Sequence, residues 1–310
     1  MRKLFLLAFS LLIMLRLTGQ INMSDSSVRV YGYWNLNDKQ TYQVIKSKYK
    51  INTSDSTAWD TTSNDISRYK VDITITDSTA DSYTIDWYYH DFEVDTTNEM
   101  ALKLVSLAEQ MTITIKTDEL GIFQEVVNWK DIRKTIKHTV KKLSKEMPKD
   151  PAKDKVLKLT LGFFSTREAI EARSINDIQL FYAFHGGIYK LDSLVEEQIQ
   201  VPNLAGGNPI DAEISYVLDT IDTANWISTF RMRLAADPEQ LLSATFAYLS
   251  EMAATMKIPG PTMNEMPRMK HETWTYTDIH DSGWVTYTIQ SKEVSTEGIL
   301  QVEELSLELL

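Results

Sequence analysis

The pattern of apolar and polar positions changes period several times along the chain, and one change can be read in full. Residues 111–132 run MTITIKTDELGIFQEVVNWKDI. Met111, Ile113 and Ile115 alternate with Thr112, Thr114 and Lys116, the period of a half-buried strand. TDELG supplies a turn in which Gly121 can take positive φ, and IFQEVV reads as the returning strand. Asn128 is placed to cap a helix whose apolar stripe is Ile132, Ile136, Val140 and Leu143, spaced four, four and three. A related strand–turn–strand unit occurs at residues 273–294, TWTYTDIHDSGWVTYTIQSKEV.

Elsewhere, TYQVIKSKYKI, DISRYKVDITIT and SYTIDWYYHDFEV carry the β-branched and aromatic residues of strands. Asp/Ser/Thr/Asn clusters between them favour turns. NEMALKLVSLAEQ (98–110) reads as a helix capped by Asn98, and PKDPAKDK as a polar linker. Ser165 and Glu168 have capping-box spacing. Strands are expected again in DIQLFYAFHGGIYKLDSL, IDAEISYVLDT and NWISTFRMRLAA. Asp237 and Pro238 open a helix, DPEQLLSATFAYLSEMAATM. The expectation is an α+β fold: curved antiparallel sheet or sheets with helices packed on one side, built as two related halves. Residues 20–150 form a β-rich half with two helices, 151–176 a helical linker and 177–310 a second β-rich half. The competing reading is that β-rich chains reuse the same turn chemistry without duplication.

Charge narrows the function classes. The net charge is −11, whereas a general nucleic-acid binder needs a basic face to displace counterions. The N-terminus has Arg2 and Lys3, an apolar run from Leu4 to Leu15, then Arg16 and LTGQ. That is the layout of a secretory signal peptide over residues 1–19, cleaved between Gly19 and Gln20. The run is short for a bilayer span, with an uncleaved anchor as the alternative. The protein is therefore expected to be exported, to the periplasm or the cell surface of a bacterium with an outer membrane. No later segment reads as a transmembrane span. The chain has no cysteine, which excludes disulfides and Cys nucleophiles.

Candidate chemistry is sparse. HGGI (185–188) has the glycines of an oxyanion loop, but no G-x-S-x-G elbow accompanies it, so it reads as a hairpin turn. No two of the five histidines have the spacing of a helical zinc pair. Met263, Met266 and Met269, at spacing three, are soft thioethers suited to Cu(I) or to filling gaps where a helix exits. Trp87 and Tyr89 alternate with Tyr88 and His90, so both faces of one strand carry aromatics; Trp87 and Tyr89 are candidate ligand-binding residues. Arg231 and Arg233 share a face that suits an anion clamp or solvent. No cofactor motif is present.

The signal-peptide layout, the LNDKQTYQV entry and the TDELG and HDSGW turns together resemble uncharacterised secreted proteins of Bacteroidetes-type bacteria. A looser resemblance is to periplasmic lipoprotein carriers, which implies a curved antiparallel sheet around an apolar cavity. The resulting expectation is a non-catalytic binding or carrier module for an apolar small molecule or lipid. A structural or surface interaction protein is the alternative, and a hydrolase without a recognisable motif a further one.

Overall fold

The computed structural model describes residues 20–53, 60–95, 111–146, 157–158, 161–162, 164–203 and 207–310. The segment 1–19 expected to be a signal peptide, the helix expected at 98–110 and the polar linker PKDPAKDK lie outside them. Fourteen strands are described: β1 (Ile21–Asn22), β2 (Ser27–Arg29), β3 (Lys39–Asn52), β4 (Asp60–Ser78), β5 (Ser82–Val94), β6 (Thr112–Asp118), β7 (Phe123–Val126), β8 (Ile188–Lys190), β9 (Val195–Val201), β10 (Ile210–Asp222), β11 (Ile227–Ala236), β12 (Lys270–His280), β13 (Val285–Thr296) and β14 (Ile299–Leu309). The helices are α1 (Trp129–Glu146), α2 (Arg167–Arg173), α3 (Asn176–Phe181) and α4 (Pro238–Met256).

Eleven strands form one antiparallel sheet in the order β7-β6-β5-β4-β3-β14-β13-β12-β11-β10-β9. This overturns the expected α+β class with two related halves and helices packed on one side. The molecule is mainly β. The last strand, β14, pairs antiparallel with β3 from Leu309↔Tyr42 to Ile299↔Asn52, so both meanders belong to a single sheet. Helices are few, and α2 and α3 have only seven and six residues.

Strand alternation assigns the faces. The inner face of the first meander carries Tyr42, Val44, Val71, Ile73, Ile75, Ile85, Trp87, Ile113 and Ile115, all buried. α1 closes part of it with the expected stripe: Ile132, Ile136 and Val140 are all in the core. Its cap differs from expectation. Asn128 spends its side chain on β6, accepting from Thr114 N at 2.9 Å and donating to Thr112 O at 2.9 Å. At α2 the cap is Thr166, one residue beyond Ser165, accepting from Ala169 N.

DIQLFYAF is helix and turns, not a strand. Asp177, Ile178, Leu180 and Phe181 are buried, followed by Phe184 and His185. That spacing is helical, and its apolar contacts are with the inner face of the sheet. Phe181 meets Tyr42 and Trp87 edge-on, with centroids at 5.6 and 5.5 Å. Phe184 stacks on Phe230 of β11 at 5.0 Å. The segment thus plugs the sheet across the junction of its two meanders.

Candidate functional site

A strongly perturbed histidine sits where three turns meet. Gly121 (φ +88°) and Gly283 (φ +82°) take the positive φ expected of the two Asp/Gly turns. Residues 30–34 thread between them: Gly32 N donates to Leu120 O and Tyr33 N to Ser282 O, both at 3.2 Å. HGGI joins the same knot, with Gly186 N donating to Val30 O at 2.7 Å. This replaces the hairpin read from sequence; β8 pairs with β2 instead. His185 donates from Nε2 to Gly283 O at 2.8 Å, among Trp34, Phe181 and Tyr182. Burial lowers its pKa to about 4, with the bond to Gly283 opposing. No described cavity reaches it. The knot is architecture, and the shift records packing.

Trp87 and Tyr89 also lie in the packed interior, at 0% and 6% exposure, and line none of the described cavities. Asp177 is buried beside Tyr69, whose hydroxyl donates to Asp177 Oδ2 at 2.7 Å. Met263 is exposed at the start of a 3-10 turn closed by Thr262 and Glu265. Met266 ends that turn, and Met269 precedes β12; both are half-buried. Gln20 is buried and bonds both polar groups of Tyr31; Gly19 lies outside the described residues. Arg231 and Arg233 are engaged by Asp219 and by Glu272 and Glu213.

The remaining histidines are apart from one another. His90 lies between Asp72 and Asp91 on the outer face, His138 is exposed on α1, His271 is half-buried on β12 and His280 accepts from Ser282 N at its turn. No group of three or more His, Asp or Glu side chains among the described residues is placed to hold a metal ion. No described helix is long and apolar enough to cross a membrane.

The second meander differs from the first in how its inner face is covered. Ile214, Tyr216, Met232 and Leu234 occupy that face and are only half-buried. α4 lies over it, packing on β10 and β12. Asp237 caps this helix as expected, accepting from Gln240 N at 2.8 Å, with Pro238 in the first turn. Leu241, Leu242 and Phe246 are half-buried, Leu249 is 38% exposed, and among the described side chains only Ala253 is buried. The same chain buries Ile132, Ile136 and Val140 of the α1 stripe. An apolar helix held this loosely leaves unrealised part of the ~1.5–3 kcal/mol that full burial of each large side chain contributes. A groove of about 1050 Å³ runs along its outer side, lined by Ile210, Gln240, Ala244 and Tyr248 among others.

A second cavity, of about 570 Å³, opens on the inner face where β13, β14, β3 and β4 meet below Asn176. Lys46, Lys48, Asp65, Gln290, Lys292 and Glu303 line it. Sequence reasoning did not single these out. The signal was present: in KQTYQVIKSKYK, Tyr42 and Val44 are followed on the same face by Lys46 and Lys48, an abrupt switch from apolar to cationic.

No family model matches the chain. No curated protein matches it either. Among solved structures, one described as "Lipid-protein interactions in lipovitellin" overlaps 89% of this chain at 8% identity and a TM-score of 0.39. This chain spans 25% of the length of that one. At that score the overlap argues for neither a shared fold nor a shared ligand.

Proposed function

We propose that this protein is a non-catalytic binding or carrier module for an apolar or lipid-like ligand, exported to the periplasm or cell surface under the direction of residues 1–19. The ligand lies on the inner face of the second meander, beneath α4. One observation carries this reading. Apolar Ile214 and Leu234 stay half-buried, and Tyr216 and Met232 pack against the core while still partly open, beside an apolar helix whose large side chains are themselves half-buried or exposed; Ile132, Ile136 and Val140 of α1, by contrast, are buried in the core. Displacing α4 slightly exposes two apolar surfaces that a ligand can cover together. The aromatic floor at Trp87 and Tyr89 supports the sheet from the packed side and takes no part in binding.

The test is native mass spectrometry of the full chain purified from its own host, followed by titration of the stripped protein with a fluorescent acyl probe. A co-purified apolar adduct, and probe binding that Leu234→Asp abolishes, are expected. A protein that carries no adduct and binds no acyl probe overturns the reading.

A further inference from the structure

The rows of the sheet connect the charged cavity to the apolar strip. One row on the inner face runs Lys46, Leu305, Gln290, Thr275, Met232, Tyr216 from β3 to β10. The adjacent row runs Lys48, Glu303, Lys292, Thr273, Leu234, Ile214. In both, a polar end and an apolar end flank the threonines of β12, the strand on which α4 rests. Thr273 and Thr275 are buried. From Lys292 to Ile214 is three strand spacings, roughly 14 Å at about 4.8 Å each.

Charges in the cavity are unevenly matched. Lys48 pairs with Glu303 at 2.5 Å and stands opposite Asp65 on β4. Glu304 borders the cavity but accepts from the Ser47 and Tyr49 hydroxyls, which alternation places on the outer face. Asp95 stands exposed at the rim. Lys46 and Lys292 form no ion pair among the described residues. Lys46 lies over the Tyr69 ring at 5.1 Å. Lys292 is half-buried; burial and nearby Lys46 lower its pKa, and Glu303 opposes them. Lys292, partly out of water, and the exposed Lys46 beside it are like charges that gain from a shared anion and gain nothing from a neutral group.

We infer that the ligand is a single-chain amphiphile with an anionic headgroup, a carboxylate or a phosphate, seated between Lys46 and Lys292. Its chain runs past Thr273 and Thr275 onto Leu234, Met232 and Ile214 beneath α4. This rests on the carrier reading above and adds the headgroup to it. Of the cavity's cations, Lys48 holds Glu303 in an ion pair, so Glu303 reaches Lys292 only as its cross-strand neighbour and the headgroup takes the two cations without an ion pair among the described residues.

Isothermal titration of the stripped full chain tests this with three probes: hexadecanoate, hexadecanol and acetate. The proteins are wild type, Lys46→Gln/Lys292→Gln and Lys46→Arg/Lys292→Arg, each checked for an unchanged melting temperature. Hexadecanoate is expected to bind wild type about tenfold or more tightly than hexadecanol, the size of one charged hydrogen bond. The Gln pair should lose that advantage and keep hexadecanol binding, and the Arg pair should restore it. Equal binding of hexadecanoate and hexadecanol, unchanged in the Gln pair, overturns the headgroup assignment and leaves the carrier reading standing. Failure of both long-chain probes overturns the carrier reading itself, and the headgroup with it. Acetate binding as tight as hexadecanoate means an anion site with no chain path, which also overturns the assignment.

Discussion

His185 Nε2 lies 2.8 Å from the carbonyl oxygen of Gly283, so a residue of the central plug is tied to the hairpin turn between β12 and β13. A carbonyl only accepts, so the bond places a proton on Nε2, and burial, which holds the folded pKa at about 4, keeps the ring neutral. Above pH 6.5 the unfolded chain is neutral here too, and His185 adds no pH dependence. Between 6.5 and about 4 the unfolded state takes the proton and the folded state does not, so stability falls as pH falls. The loss amounts to about 3 kcal/mol once pH reaches the folded value. Urea denaturation at pH 7.5 and at pH 4 should therefore show the gap between wild type and His185→Asn narrowing by about that amount. A gap that does not change with pH would show that His185 is not the group responsible.

Gly283 makes a separate demand. A Cβ there would lie 2.1 Å from Tyr31 O, in a backbone already at φ +82°. Gly121, at φ +88°, would bring its Cβ to 3.0 Å from the His185 ring and 3.2 Å from Gly32 N, contacts that ask the neighbours to give far less than the one at Gly283. Gly121→Ala should cost about 1–2 kcal/mol, the left-handed penalty. Gly283→Ala should cost more, because its clash with backbone is far closer. Equal denaturation midpoints for the two variants would contradict this ordering.

The contrast between α1 and α4 is measurable as stability. Ile136 is 1% exposed, and Ile136→Ala should cost about 2–5 kcal/mol. Phe246 is half-buried, and Phe246→Ala should cost well under the ~3–5 kcal/mol of a fully buried Phe. Amide hydrogen exchange should also run faster in α4 than in α1. Comparable losses and comparable protection would show that α4 is a packed structural helix, which would remove the observation behind the proposed function.

Tyr69 and Asp177 make a buried polar contact of 2.7 Å beneath the lysine cavity. Tyr69→Phe leaves the Asp177 carboxylate without this donor, at a cost of about 1–3 kcal/mol. Lys46 keeps an aromatic ring beneath it in that variant, so hexadecanoate binding should be unaffected. A melting temperature equal to wild type would show that the carboxylate finds another partner.

Local physics was legible before any coordinates. Alternation marked the strands, Gly121 and Gly283 marked turns that need positive φ, the α1 stripe marked a buried helix face, and Asp237 with Pro238 marked a helix start. Each depends on neighbours within a few residues. The misreadings share a cause. Residues 176–181 carry strand-like residue types, yet Asp177, Ile178, Leu180 and Phe181 fall on the buried side of a short helix because the sheet's inner face lies against them. Trp87 and Tyr89 have the composition of a pocket wall, but Phe181 and Tyr182 fill the space before Trp87, and Tyr69 lies against Tyr89.

The tertiary structure alone decided the rest. Alternation says which side chains share a face, but not which strand lies beside which, because register is set by contacts remote in sequence. The pairing of β14 with β3 joins the ends of the chain's two meanders and makes one sheet of them. The same pairing places Lys46 and Lys48 next to Leu305 and Glu303, and β13 then adds Lys292. These residues are some 240 positions apart in sequence, so their cavity exists only once the sheet has closed that distance.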